Sequence, residues 1–397
     1  MENFTIKVES KLDEIYHCLN KSNLHIGYDL YNGACGTALF NFYYARYKSD
    51  QEAYNTGFSL VSTILDNVNG DNIDFTFSNG LAGIGWTIEH LAKNDFFDFN
   101  SDELLSEVDN FLYPLMINQI RSGNYDFMRG GIGIGLYFLN RRISVNISQY
   151  IHNFVDVLDE VSEKSINGIK WKSVLYQETG ETGYNISLSH GIASIIEILS
   201  RTYKCNINRI KSKYLLEGAI KYLLNQKLGN GFNSIYPVLS LESTKKPEAS
   251  RLAWCYGDLG ISVALWHASQ ALGRKDWEEE ALLTIHHAAK RRDFKKNRVI
   301  DARICHGTAG IAHIFHRMYL NTGVETLKET ADFWFKQTID MAKFEDGLAG
   351  YKTWRSEEYG GWYNSPGLLQ GVTGIGLALL SVVSDDAPSW DECLLLS

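Results

Sequence analysis

No apolar run in this chain reaches the ~18 residues that a membrane-crossing helix needs, so no span is predicted. Basic blocks are equally absent. The 38 Lys and Arg stand against 47 Asp and Glu, a formal net charge of −9, which argues against nucleic acid as a main partner. Cysteine is sparse: the six, at positions 18, 35, 205, 255, 305 and 393, make no C-x-x-C pair and no dense framework. A reducing compartment therefore fits better than a secreted one. The N-terminus, MENFTIKVESKLDEIYHCL, carries acidic residues where a signal peptide is basic and then apolar. Prolines number 5 in 397 residues, while 45% of the chain is hydrophobic. Such a chain can bury a large core and exceeds the usual single-core size, so either two domains or one repeat-built domain is expected. The expected setting is cytoplasmic, with no nucleic-acid partner and no transmembrane segment.

What the chain does contain is repetition. Aligned on G-x-x-G, it reads LYNGACGTALF (30–40), FSNGLAGIGWTI (77–88), FMRGGIGIGLYF (127–138), LSHGIASIIEIL (188–199), WCYGDLGISVAL (254–265), ICHGTAGIAHIF (304–315) and LLQGVTGIGLAL from Leu368. Ser194 replaces the second glycine in the fourth copy. The first glycines are Gly33, Gly80, Gly130, Gly191, Gly257, Gly307 and Gly371, separated by 47, 50, 61, 66, 50 and 64 residues. Periods of this length suit one helical hairpin per repeat. The runs after the glycines are apolar nearly all round, as interior helices are. Segments 102–119, 213–226 and 326–343 are amphipathic with helical spacing and fit an outer layer. The fold class predicted is all-α: an α/α toroid of seven helix-hairpin repeats, forming a single domain over 1–397. Glycine at each inner helix start permits a tight turn and close backbone approach.

The residue before each first glycine is Asn32, Asn79, Arg129, His190, Tyr256, His306 or Gln370, polar in all seven copies. Helix capping explains asparagine there; a shared polar cavity better explains histidine, arginine and tyrosine. In a toroid the inner helices run parallel, so their N-termini gather at one end and favour anions. One position earlier, Cys255 and Cys305 occupy equivalent places in consecutive repeats, and His306 adjoins Cys305. Repeat symmetry brings these three together as a Cys₂His set. Thiolate and imidazole donors select zinc over magnesium or calcium, and three protein ligands leave a fourth tetrahedral position open, as in catalytic zinc sites. The alternative is that both cysteines are small buried hydrophobes, a reading kept for Cys18, Cys35, Cys205 and Cys393. His286 and His287 read as surface residues; His313 and His316 read as packing groups or outer partners of the site.

The motifs WCYG (254–257), CHG (305–307), SHG (189–191) and the terminal GLLQGVTGIGLALL resemble the lanthionine synthetase C family, the lanthipeptide cyclases, in that family's motif order. This resemblance implies a seven-repeat toroid with a catalytic zinc, Zn²⁺, on Cys255, Cys305 and His306. It implies addition of a peptide cysteine to dehydroalanine or dehydrobutyrine, closing a thioether ring. The implied substrate is a dehydrated precursor peptide, and a dehydratase and an exporter are the implied partners. A free thiol of pKa ~8.5 is only slightly ionised at neutral pH, so a metal that deprotonates the thiol serves this chemistry. The enolate formed by attack must be protonated, and a histidine suits that step. His190, which matches the family's SHG histidine, is the expected general acid. Asp126 and Arg251 match an acidic residue and an arginine of the family, expected to orient His190 and to stabilise the enolate oxygen. Tyr256 is expected to hydrogen-bond in the same cavity. Connections 229–250 and 347–368 read as rim loops, the second rich in aromatics. Two rival readings are a metal-free toroid enzyme acting on carbohydrate through Asp126 and Asp258, and a non-cyclising relative that binds a peptide or thiol.

Overall fold

A computed structural model describes residues 2–21, 27–68, 74–142, 144–176, 179–244, 246–384 and 389–397; Lys245, in the first predicted rim loop, lies outside them. The helices are α1 (Glu2–Lys21), α2 (Ala34–Lys48), α3 (Gln51–Asn67), α4 (Leu81–Lys93), α5 (Ser101–Arg121), α6 (Gly131–Asn140) and α7 (Val145–Glu160). They continue as α8 (Ile192–Lys204), α9 (Arg209–Leu224), α10 (Asp258–Leu272), α11 (Lys275–Ala289), α12 (Phe294–Asn297), α13 (Thr308–Thr322), α14 (Glu325–Asp340) and α15 (Val372–Val383). The seven helices that begin one residue after a first glycine are buried almost along their whole length. The three predicted amphipathic segments are α5, α9 and α14, each burying one stripe.

Every helix start leaves backbone N–H groups without an intrahelical partner. Six of the seven glycine turns solve this identically. The carbonyl six residues before the glycine accepts the N–H just after it: Gly27 from Ala34 at 2.7 Å, Asp74 from Leu81 at 2.8 Å, Asn124 from Gly131 at 3.0 Å, Asn185 from Ile192 at 2.9 Å, Asp301 from Thr308 at 3.0 Å and Ser365 from Val372 at 3.1 Å. None of these helices has a side-chain cap. The capping role considered for Asn32 and Asn79 is therefore overturned, because the glycine itself is the N-cap residue. That geometry also explains the glycines. A Cβ on Gly307 would lie 2.6 Å from the Asp301 oxygen, and one on Gly130 would lie 2.5 Å from the Asn124 oxygen. The second glycine meets another carbonyl in the same way, Leu30 at 2.6 Å for Gly36 and Trp254 at 2.7 Å for Gly260. Close approach, not left-handed backbone, fixes the motif in these copies.

The chain divides into two compact units. One holds residues 1–74, 79–98 and 298–397, and within it α13 packs on α14 and α15, and α15 on α1 and α2. The helix that covers α15 is thus the first of the chain, a pairing that the repeat pattern did not assign. Its opening turns are laced by the backbone: Cys305 N–H donates to the Leu369 carbonyl and Leu369 N–H to the Tyr31 carbonyl, both at 3.1 Å. Near the C-terminus, Asp391 is fully buried and accepts from Arg317 Nε at 2.9 Å, with His313 Nε2 at 2.8 Å. Burial alone would raise the Asp391 carboxyl pKa; the Arg317 charge and the His313 hydrogen bond outweigh it and hold the group well below its usual range. His313 is therefore a packing group.

The second unit holds residues 75–78 and 99–297. Here α8 packs on α6, α9 and α10, and α10 on α11. Ser78 N–H donates to the Met128 carbonyl at 2.9 Å and Ser189 N–H to the Cys255 carbonyl at 3.4 Å. Two antiparallel hairpins, β1 (Glu163–Ser165) with β2 (Gly168–Lys170) and β3 (Ser173–Tyr176) with β4 (Glu181–Gly183), fill the long third spacing. A third, β5 (Thr353–Trp354) with β6 (Trp362–Tyr363), lies in the first unit inside the predicted rim loop 347–368. These short sheets depart from a purely helical reading; strands of two to four residues carry too little alternation to register in sequence.

Two outcomes follow from this packing. Gly310→Ala drives a Cβ into the Ile304 carbonyl and is expected to cost about 1–3 kcal/mol, whereas Gly229→Ala, which meets nothing within 4 Å, should stay within about 0.5 kcal/mol in urea denaturation. Acid supplies the second. Burial, as the largest influence, holds His90 down to about 3 and His316 to about 4 from an ordinary 6.5. The unfolded chain binds protons that these folded imidazoles refuse, so stability is complete above 6.5 and is lost as pH falls toward 4. Melting temperature should drop across that window, and His90→Gln should remove about one proton from the slope.

Candidate metal centre

The position two before each first glycine is buried or half-buried, while the next position reaches solvent. Asn32, Asn79 and Arg129 are exposed; His190, Tyr256, His306 and Gln370 are half-buried. Backbone lacing thus sets one column of side chains inward and leaves the next accessible at the N-terminal ends of the inner helices.

Cys255 lies on the one opening turn that departs from the common geometry. Gly257 has φ of +87°, where the other six first glycines lie between −109° and −148°. This position requires glycine for its backbone conformation. The carbonyl of Cys255 accepts both Ser189 N–H at 3.4 Å and Ser189 Oγ at 3.2 Å, which ties it to the SHG turn. Cys305 and His306 sit on the regular turn before α13.

Asp126, which the family resemblance set beside His190 as an orienting residue, lies in contact with it. Asp126 Oδ2 lies 2.6 Å from His190 Nδ1, while Asp126 Oδ1 accepts Met128 N–H and Arg129 N–H, both at 2.8 Å. Two backbone donors therefore fix one carboxylate oxygen and aim the other at the imidazole. Backbone support comes from the far side too: His190 N–H donates to Ser187 Oγ at 3.1 Å, and Ser187 N–H to Asn185 Oδ1 at 2.9 Å. Burial, the largest influence, opposes protonation of His190. The Asp126 hydrogen bond and charge, with the nearby Cys255, outweigh it and raise the His190 pKa above its ordinary value, against a smaller opposing push from Arg129. With Nδ1 turned to Asp126, Nε2 is left as the nitrogen for a substrate. The Tyr256 ring lies beside it, centroid to centroid 5.7 Å.

Cys255, Cys305 and His306 form a group whose donor atoms all lie within 4.8 Å of one another. Cys255 is buried and Cys305 half-buried. His306 Nδ1 is shielded from solvent and has no hydrogen-bond partner among the described residues, a costly state for a polar nitrogen unless an unseen partner takes its lone pair or proton. Two thiols and one imidazole are the donor chemistry of zinc, so the residues present fit that ion.

The remaining predicted residues divide. Arg251 is half-buried, and its guanidinium makes no hydrogen bond or ion pair among the described residues. Asp258, the second carboxylate of the carbohydrate reading, is fully buried; it accepts Ile235 N–H and Tyr236 N–H and pairs with Arg291 Nη1 at 3.0 Å. It is closed off from any sugar cleft. His287 is not a plain surface residue: its Nδ1 lies 3.6 Å from Asp258. Cys35 and Cys393 are buried as small hydrophobes, but Cys205 is exposed. Sequence reasoning named Ser189 and Asp258 but missed what they bind. Both sit beside motif residues, yet their partners are 66 and 33 positions away, so no local pattern announces them.

The family model for "Lanthionine synthetase C-like protein" matches residues 25–395. A likeness to the solved structure of nisin cyclase has a TM-score of 0.76 at 18% identity, covering 100% of this chain and 98% of that one. It establishes the fold as an α/α toroid. Nisin biosynthesis protein NisC of Lactococcus lactis subsp. lactis is 26% identical over 348 residues, 80% of this chain and 76% of that protein. The chain belongs to the lanthionine synthetase C-like family. Among the described residues no helix is long and apolar enough to cross a membrane.

Asp126→Asn removes the charge that lifts His190 and leaves Cys255 alone against burial, the largest influence. The His190 pKa should then fall below 6.5, read by NMR titration of the labelled ring; an unchanged titration would show that Asp126 does not set it.

Proposed function

We propose that this protein is a zinc-dependent cyclase that joins cysteine thiols of a dehydrated precursor peptide to dehydroalanine or dehydrobutyrine, forming lanthionine and methyllanthionine rings. The observation that carries the reading is the Cys₂His group. Support comes from the family and from the histidine–aspartate pair built on neighbouring turns.

Cys255, Cys305 and His306 would hold the zinc, which when bound supplies a positive centre that favours the ionised form of a substrate thiol at neutral pH. Two thiolates in the donor set would limit the positive charge of the site, which suits a thiol that must stay nucleophilic. Attack at the β-carbon of the dehydro residue places negative charge on the enolate oxygen and leaves the α-carbon to be protonated. His190 suits that proton transfer: Asp126 holds the ring by Nδ1, stabilises the imidazolium and directs Nε2 toward the reacting centre. Tyr256 stands beside that ring as a further hydrogen-bonding group, and the unengaged Arg251 guanidinium is available to the enolate oxygen. A dehydrating enzyme must act before this one, since the acceptor double bonds arise from serine and threonine, and an exporter is the expected later partner.

Cys305→Ala should reduce bound zinc from about one per chain to a small fraction and slow ring closure on a dehydrated peptide by on the order of a hundredfold or more. The far-UV helical signal should persist. Thioether formation at the wild-type rate by this variant would reject the proposed site. Retained zinc with tight peptide binding and no ring closure by the wild type would instead favour a non-cyclising relative.

A further inference from the structure

Repeat five carries Cys255 and has given up the hydrogen bond that closes the other six opening turns: among the described residues the Asp258 N–H makes no bond to the Arg251 carbonyl. A buried side-chain pair stands in its place. Asp258, the first residue of α10, turns its carboxylate onto Ile235 N–H at 3.1 Å and Tyr236 N–H at 2.9 Å. Arg291, just beyond α11, spans the same space with three donors in a fixed fork. Its Nη1 reaches Asp258 at 3.0 Å, Nη2 the Ser250 carbonyl at 2.7 Å, and Nε the Asn297 Oδ1 at 2.9 Å. Asn297 in turn accepts Leu252 N–H through its carbonyl at 3.2 Å. The stretch leading to Cys255 is therefore held at Ser250 by the guanidinium and at Leu252 by the Asn297 backbone that the guanidinium braces, and the stretch leaving it is held at Asp258. Gly257 takes its left-handed φ between these anchors, with Ser250 packed against its Cα.

We propose that Asp258 and Arg291 are positioning residues for Cys255, re-aiming its thiol from the direction of the common turn to the one the metal needs. The proposal rests on Cys255 being a metal ligand. Neither residue touches metal or substrate; both act through the backbone on either side of the ligand. Residues that orient a metal ligand without touching the ion change affinity by about ten- to a hundredfold when replaced, and that is the effect expected here.

The test uses the full chain with Zn²⁺ and Co²⁺ as probes, in Asp258→Asn and in the milder Arg291→Lys should the first not fold. Arg317→Lys is the control, since it weakens an equally buried pair with Asp391 and should lower melting temperature without touching Cys255. Competition with a chromophoric chelator should show zinc held about ten- to a hundredfold more weakly by the two repeat-five variants, with a reduced thiolate-to-cobalt charge-transfer band. The control should keep the wild-type affinity and spectrum. Variants that match the wild type in both, while melting lower, would overturn the proposal and leave the pair as fold support alone. A wild-type chain that binds neither metal would overturn the metal reading, and this proposal with it, and would be recognised in the first sample measured.

Discussion

The carbonyl six residues ahead of the helix-opening glycine accepts the N–H just after it in six of seven copies, and at Gly33, Gly130, Gly191, Gly307 and Gly371 it lies where a Cβ would stand. Every other feature depends on this contact. It satisfies a backbone donor at the head of a buried helix, where water cannot, and it forbids any side chain at the glycine. It also presents two preceding residues in a fixed order, one inward and one accessible. Lateral hydrogen bonds such as Leu369 to Tyr31 then join one turn to another through the backbone alone. The side chains of that column take no part in the common bond, so serine, leucine, tyrosine, methionine or cysteine can occupy it.

Cys255, Cys305, His306 and His190 come from three turns, and each is followed directly by, or is one residue from, its glycine. Six of the seven glycine turns are closed by the backbone without help from these side chains. The exception is instructive: the turn bearing Cys255 replaces the common backbone bond by the Asp258–Arg291 pair, at the cost of a buried ion pair that hydrophobic packing could rival in stability.

Much of this was legible in the sequence. Seven aligned copies of the motif, six with both glycines, announce seven similar turns, the all-apolar runs announce interior helices, and equivalent register brings Cys255 to Cys305 and His306. The match of Asp126 to His190 rested on family resemblance and is seen directly as a 2.6 Å contact. What escaped was whatever depends on distance in the chain. The first helix covers the last inner one, a pairing across more than 350 residues with no motif in α1 to mark it. Asp258 read as a cleft acid, since Arg291 and the Ile235–Tyr236 amides are remote from it in the chain. Gly257 looked like its six counterparts; its positive φ, with Ser250 packed against it, is not announced by the G-x-x-G pattern. The three hairpins were missed because strands this short have no period to detect.

The central claim is that two cysteines and one histidine from consecutive repeats bind a single zinc with one place left for a thiol. Zinc K-edge X-ray absorption on the purified chain tests it most directly. The account predicts two sulfur scatterers at ~2.3 Å together with nitrogen or oxygen at ~2.0–2.1 Å, and a third sulfur when a cysteine-containing peptide is added. A shell of nitrogen and oxygen alone, or a chain that retains no zinc, would contradict it.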